Sequence, residues 1–422
     1  MGSAAVQSVL LQLLTIAANL CTGVITARLL GANGRGLYAA AATWPSLLGM
    51  VATAGSGSAV LVYLRRRPDA AAAVAAWGAI VGVGLASLLA ALAFVAMPFL
   101  LGQHQQAALQ TARAALVFAH ITALCVLFRS VFAGRGRFLM ANLAGILPHA
   151  LHAAIVCAFA LAGALTVGTA VASPIIGGAL SLALLFPFFL KQTHGAVAEL
   201  KHLSSGLRDF ASRAAPADLF ALMSGWADRL LLIVLLTPRE LGFYVVAYGF
   251  SRVVTIATPA AGILLSAMSH GEPTKAKQLH DMALRFSIAS LSVVLLVMYL
   301  LDTWLIRVFY GAQFLVAAAC FQILVLQAAT SRIAGVTATF YLASDRPALT
   351  SWVGFVDVAV SSVLIVALAP VYGAQGAAIA MLTGTALRLG LLWLGLLTHL
   401  RLSFPRLWPG HEDVRAIRAL FK

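Results

Sequence analysis

Apolar stretches follow one another along nearly the whole chain, separated by short polar or glycine-containing connections. A membrane-crossing helix needs about 20 mostly apolar residues. The pattern predicts twelve such helices, near residues 6–30, 37–64, 72–101, 109–133, 138–163, 167–190, 215–237, 241–268, 284–309, 315–343, 348–369 and 375–399. The longest connection runs from Lys191 to about Ala214. The predicted fold class is an all-α integral membrane protein.

Polar positions inside the spans are spaced like one face of a helix. In the first span Ser8, Gln12, Thr15, Asn19, Thr22 and Thr26 recur in steps of three and four, which puts them on one stripe. Lipid does not favour such a stripe, so it is expected to face protein or water. The eighth span repeats the pattern with Tyr244, Tyr248, Ser251, Thr255, Thr258, Gly262, Ser266 and Ser269, flanked by Arg252. The second span has a smaller-residue version in Tyr38, Ala42, Pro45, Gly49, Thr53 and Ser56. Small and hydroxyl residues also pack membrane helices together. Two stripes at equivalent places argue for a shared polar cavity.

Those places are equivalent because the chain repeats. LLGANGRGLYAAA (29–41) and LLTPRELGFYVVA (235–247) align without a gap at an offset of 206 residues (242 less 36). Leu29, Leu30, Gly36, Tyr38 and Ala41 match Leu235, Leu236, Gly242, Tyr244 and Ala247. Six spans per half preserve orientation, so the halves are expected to be parallel repeats, as in alternating-access transporters. The expected organisation is a six-helix lobe over 1–190, a basic linker over 191–214, a second six-helix lobe over 215–400 and a basic tail over 401–422.

Charge assigns the sides. The chain carries a net charge of +15, with 62% hydrophobic and only 10% charged residues. Arg65, Arg66, Arg67, Arg135, Arg137, Lys191, Lys201, Arg208, Arg213, Lys275, Lys277, Arg285 and Arg346 fall in the loops after even-numbered spans. Arg401, Arg406, Arg415, Arg418 and Lys422 follow in the tail, whereas the other side has only Arg35, Arg239 and Arg307. Basic loops stay in the cytoplasm. Both termini are therefore expected there, and the positive charge reads as a topology signal with no nucleic-acid partner. MGSAAVQ has no basic region of the kind that opens a cleaved signal peptide.

The charges inside the spans are the candidate chemistry. Asp228, Asp302 and Asp357 lie well inside the later spans and Asp218 near the start of the seventh, whereas the first six spans have no acid. Arg113, Arg129, Arg229, Arg252, Arg332 and Arg388 also lie in spans. Some of these, Arg113 and Arg129 among them, sit near span ends and can snorkel to headgroups. A surplus of Arg suits an anion, because guanidinium binds phosphate oxygens bidentately and stays charged. Arg229, Arg252 and Arg332 are the expected phosphate-binding residues. Gln12, Thr15, Asn19, Thr22, Thr26, Tyr38, Tyr244, Tyr248, Ser251 and Thr255 are the expected cavity lining. Tyr244 and Tyr248 offer faces for sugar rings or act as interfacial aromatics. Asp228 is expected to balance charge or to bind a coupling cation. No cofactor, metal site or catalytic constellation is expected. His149 and His152 lack a third ligand, and Cys21, Cys125, Cys157 and Cys320 are spaced for neither metal nor disulfide. A nucleotide-driven pump is excluded, since no phosphate-loop motif occurs.

ARLLGANGRGLYA, ADRLLLIVLLTPRELGFYVVA, FYGAQFLVAAACFQIL and PVYGAQGAAIAMLTG resemble the polysaccharide-biosynthesis branch of the multidrug/oligosaccharidyl-lipid/polysaccharide exporters, the Wzx-type flippases. The resemblance covers nearly the whole chain in order. It implies two six-helix lobes in a V, with a cavity that opens alternately to each side. The implied cargo is an undecaprenyl-diphosphate-linked sugar unit, an O-antigen or exopolysaccharide repeat, turned from the cytoplasmic to the periplasmic leaflet of the bacterial inner membrane. A functional monomer, working beside a polysaccharide polymerase, is expected. The ADR of Asp228 and Arg229 matches the family pattern. A MATE-type drug or ion antiporter, and a polymerase or ligase acting on the same carriers, are the alternatives. The acid-free first half argues against the antiporter, and short external loops such as GQHQQAA argue against the enzymes.

Overall fold

The computed structural model describes residues 2–193, 197–257, 273–344 and 346–398; the side chains of 2–12, 198, 255–257, 273–276 and 347 lie outside that description. The described residues contain helices and no strand. In chain order these are α1 (Gly2–Ala52), α2 (Ser56–Arg66), α3 (Ala71–Leu100), α4 (Leu109–Ala114), α5 (Val117–Gly134), α6 (Phe138–Leu161) and α7 (Val167–Gln192). They continue as α8 (Leu200–Leu235), α9 (Pro238–Ser251), α10 (Pro273–Leu300), α11 (Asp302–Phe309), α12 (Ala318–Ala343) and α13 (Pro347–Thr398). The chain divides into two compact units, Met1–Val245 and Val246–Lys422.

Eight helical stretches among the described residues are long and apolar enough to cross a membrane. Two of them, Leu13–Arg66 and Ala348–Thr398, have 54 and 51 residues. A straight helix of that length would reach about 80 Å, against a hydrocarbon thickness of about 30 Å. Each bends at a glycine with positive φ, Gly31 (69°) and Gly373 (58°), so each holds two spans in sequence. The outward surface is apolar: Phe99 is 84% exposed and Leu161 is 90% exposed. Lipid is the solvent for such a face.

Several expected spans are broken. The second stops at Ala52 and resumes at Ser56 around Gly55, whose φ is 74°. The fourth is split into α4 and α5, and the ninth is divided between α10 and α11 at Leu301. The polar connection 191–214 is helical from Leu200 and runs on without a break as α8. Its apolar residues explain this. Leu200, Leu203, Leu207, Phe210 and Ala211 pack against Val60, Leu64, Val74 and Trp77, and Leu207 is fully buried. Lys201, Arg208 and Arg213 stay exposed. The first unit consequently extends to Val245, because α8 packs on α1, α2 and α3.

In the second unit α12 packs along α13. Tyr341 Oη donates to the Leu392 carbonyl at 2.7 Å, and Gln327 Nε2 donates to Thr385 Oγ1 at 2.9 Å. Phe250, Phe309, Tyr310, Phe314 and Phe321 form an aromatic cluster beside them.

Candidate functional site

Asp228 sits on α8 and is buried at 7% exposure. Its Oδ2 accepts a 3.0 Å hydrogen bond from Tyr244 Oη on α9. Tyr244 itself is 1% exposed. An expected cavity-lining tyrosine is thus the buried partner of the expected coupling carboxylate. The turn Leu236–Thr237 brings the two helices together, and the hydrogen bond offsets the cost of burying the carboxylate. Arg229 is one position on, about 100° around the helix. Its guanidinium lies 5.0 Å from the Trp226 ring centroid, a cation–π contact.

Arg252 is exposed and opens a three-ten segment, Arg252–Ala257, directly after α9. Its guanidinium lies 5.4 Å from the ring centroid of Tyr248, one turn back. The segment packs against α12. That contact brings Arg332, half-buried on α12, within electrostatic reach of Arg252. Two of the three expected phosphate-binding arginines therefore lie on adjoining elements of the second unit.

The stripe on the first span divides by depth. Thr15 is half-buried and Asn19 exposed, while Thr22 and Thr26 are buried. Thr22 Oγ1 donates to the Ala18 carbonyl at 2.9 Å and Thr26 Oγ1 to the Thr22 carbonyl at 2.6 Å. Those two hydroxyls are satisfied by their own helix. Ser251 is likewise buried and donates to the Tyr248 carbonyl at 2.8 Å. Tyr38 is half-buried beside Arg35, at 4.9 Å. The small-residue stripe of the second span is tightly packed: a Cβ on Gly49 would lie 2.6 Å from the Ala119 carbonyl oxygen. The side chains of Ser8, Gln12 and Thr255 lie outside the described residues, as do Thr258, Gly262, Ser266 and Ser269.

The other acids in the helices are also held. The Asp302 carboxylate, at the first position of α11, accepts from the Thr303 backbone N–H and from Gln322 Nε2. Asp357 Oδ2 lies 3.7 Å from Arg388 Nη1, and Ser361 Oγ donates to Asp357 Oδ1 at 3.3 Å. Arg388, counted above with the surplus cations, is thus neutralised. Asp218 on α8 accepts from Gly55 N at 2.8 Å and Ser58 Oγ at 3.2 Å, closing the break before α2. Sequence alone offers no signal for the pairs Asp302–Gln322, Asp357–Arg388 and Asp218–Gly55, which join positions far apart in the chain. Among the described residues no group of three His, Cys, Asp or Glu could hold a metal ion. Cys21 and Cys157 lie 4.0 Å apart as free thiols.

An all-α, multi-spanning membrane protein whose helix carboxylates are held by partners is the class these features define, and its fold is that of the flippases and MATE transporters. The chain matches the fold of a lipid II flippase, MurJ, in an inward closed conformation, with a TM-score of 0.75 at 14% identity over 99% of this chain and 91% of that one. It matches an inward-facing multidrug resistance MATE family transporter of the MOP superfamily, with a TM-score of 0.71 at 14% identity over 90% and 93%. A eukaryotic MATE transporter matches with a TM-score of 0.58 at 13% identity over the full length of both chains. No curated protein sequence matches the chain. The model of the family described as "Polysaccharide biosynthesis protein" matches residues 4–262, and the chain belongs to that family.

Proposed function

We propose that the protein is a flippase that moves an anionic polyprenyl-diphosphate-linked oligosaccharide from the cytoplasmic to the periplasmic leaflet by alternating access. The carrier is undecaprenyl diphosphate and the sugar an O-antigen or exopolysaccharide repeat unit. The protein works in the bacterial inner membrane as a monomer, with both termini cytoplasmic, and supplies a polysaccharide polymerase. Twelve spans arranged as lobes over 1–190 and 215–400 follow if α8 and the segment from Pro238 also cross the membrane. Membership of a polysaccharide-biosynthesis family supports the cargo class.

The observation that carries the reading is that the Arg252–Ala257 segment packs against α12, the helix that bears Arg332. Two cations carried by adjoining elements suit a doubly charged anion. Guanidinium groups match phosphate oxygens bidentately. Arg229 is proposed as a further phosphate-binding residue, and Thr15, Asn19 and Tyr248 as sugar-binding residues. The span acids already carry partners, which favours an anion carrier over a cation antiporter with an open carboxylate.

The test is transport and binding in the arginine variants. Arg252→Ala and Arg332→Ala are expected to abolish polysaccharide export at normal membrane abundance and to weaken binding of a polyprenyl diphosphate. Arg252→Lys should rescue poorly, because a point charge lacks the bidentate fork. Full export by the double alanine variant at normal abundance would sink the reading.

A further inference from the structure

The two copies of the repeat touch each other at their matching residues. Gly36 follows the bend of α1 at Gly31, and Gly242 lies on α9. A Cβ on Gly36 would sit 1.8 Å from the carbonyl oxygen of Pro238. A Cβ on Gly242 would sit 1.9 Å from the carbonyl oxygen of Ala32. Gly36 and Gly242 are equivalent under the repeat offset, and so are Ala32 and Pro238. Each glycine thus meets the carbonyl four residues before the other. Such a reciprocal contact is what a two-fold axis produces. No side chain fits between the backbones, so both glycines are sterically required.

The surroundings place this contact at one end of the spans. Gln105, from the connection after α3, is fully buried, and its Nε2 donates to the Leu236 carbonyl at 3.2 Å. A Cβ on Gly102 would lie 3.1 Å from the Val234 backbone. These turns follow odd-numbered spans, on the side away from the basic loops. The contact has little to lock it. Backbone C–H···O packing is individually weak, and Gln105 Oε1 is buried with no hydrogen-bond partner. A buried acceptor without a donor carries a cost that water entry removes.

We propose that the Gly36–Gly242 crossing is the closed gate on the face opposite the basic loops, and that it parts each time cargo is released there. The inference rests on the flippase reading for its cargo, while the gate itself is a steric claim about this chain. Because both glycines serve one contact, substituting either disrupts the same thing, and the two substitutions are not additive.

The first experiment uses a background with Cys21, Cys125, Cys157 and Cys320 replaced by Ser, and a reporter Thr26→Cys, a position fully buried in this structure. A membrane-impermeant maleimide is added from the periplasmic side. Gly36→Ala and Gly242→Ala are each expected to raise labelling several-fold, and the double variant no further. Unchanged labelling at normal abundance would overturn the gate. The second experiment holds if an alanine variant fails to accumulate. Gln105 Nε2 reaches the Leu236 carbonyl at 3.2 Å beside the crossing, so these two positions are near enough for a short bifunctional reagent to bridge without touching either glycine. Gln105→Cys with Leu236→Cys, joined by a short cleavable bis-thiol reagent, should cross-link, stop export, and recover when the reagent is cleaved. Export that continues with the bridge formed would overturn the proposal. Labelling and cross-linking need no cargo, so a gate that responds in a protein that exports no glycan would defeat the flippase reading alone.

Discussion

Tyr244 holds Asp228 through a 3.0 Å hydrogen bond in which both partners are buried. The repeat offset makes Tyr38 and Thr22 their counterparts in the first half. Thr22 has no charge to hold and donates to its own helix instead. The two halves share a backbone plan, and the carboxylate belongs to the second half alone.

Tyr244→Phe should therefore destabilise the protein. Removing the hydroxyl leaves a buried carboxylate short of a donor, at a cost of about 1–3 kcal/mol. The measurement is thermal unfolding in detergent. Asp228→Asn keeps an acceptor oxygen for Tyr244 and should cost less. If Asp228 instead binds a coupling cation, Asp228→Asn keeps normal abundance while turnover loses its dependence on the ion gradient.

The ion pair between Asp357 and Arg388 predicts a double-mutant result. Their side chains are 16% and 29% exposed, 3.7 Å apart. Breaking a buried pair leaves one charge uncompensated, at up to about 3–5 kcal/mol, less where water reaches the pair. Asp357→Asn and Arg388→Gln singly should each lower stability more than the double variant. Additive losses would show that the two do not act as a pair.

Energy supply is testable separately from binding. An anionic headgroup leaving a negative cytoplasm moves downhill, by about 2.3 kcal/mol per charge per 100 mV. A diphosphate with roughly two charges gains about 4–5 kcal/mol, over a thousandfold in distribution. Flipping in proteoliposomes should follow a valinomycin-set potential and persist without a pH gradient. The opposite outcome would assign the drive to protons and direct attention to Asp228, Asp302 and Asp357.

Topology reporters test the charge reading. Fusions after Arg67, near Leu203 and at the C-terminus should report cytoplasm, and a fusion at Gly102 should report periplasm. A periplasmic signal near Leu203 would break the twelve-span arrangement and the parallel repeat together.

The class of protein was legible in the sequence because a bilayer reads each segment locally. Apolar length, basic loops and helical spacing need no knowledge of distant residues, and the family motifs lie in the same segments. The repeat was legible too, in Gly36 and Gly242, although nothing in the alignment says that the copies touch. Tertiary structure decided which polar residues are committed. Thr26, Ser251 and Tyr244 fall on polar stripes, yet they are buried and hydrogen-bonded, whereas Asn19 and Arg252 on or beside the same stripes are exposed. It also ran the basic connection into α8, and paired Asp218 with Gly55, Asp302 with Gln322 and Asp357 with Arg388. Helical period gives the direction of a side chain around its own axis. What stands opposite depends on how helices from distant parts of the chain pack, and that is set by the whole fold.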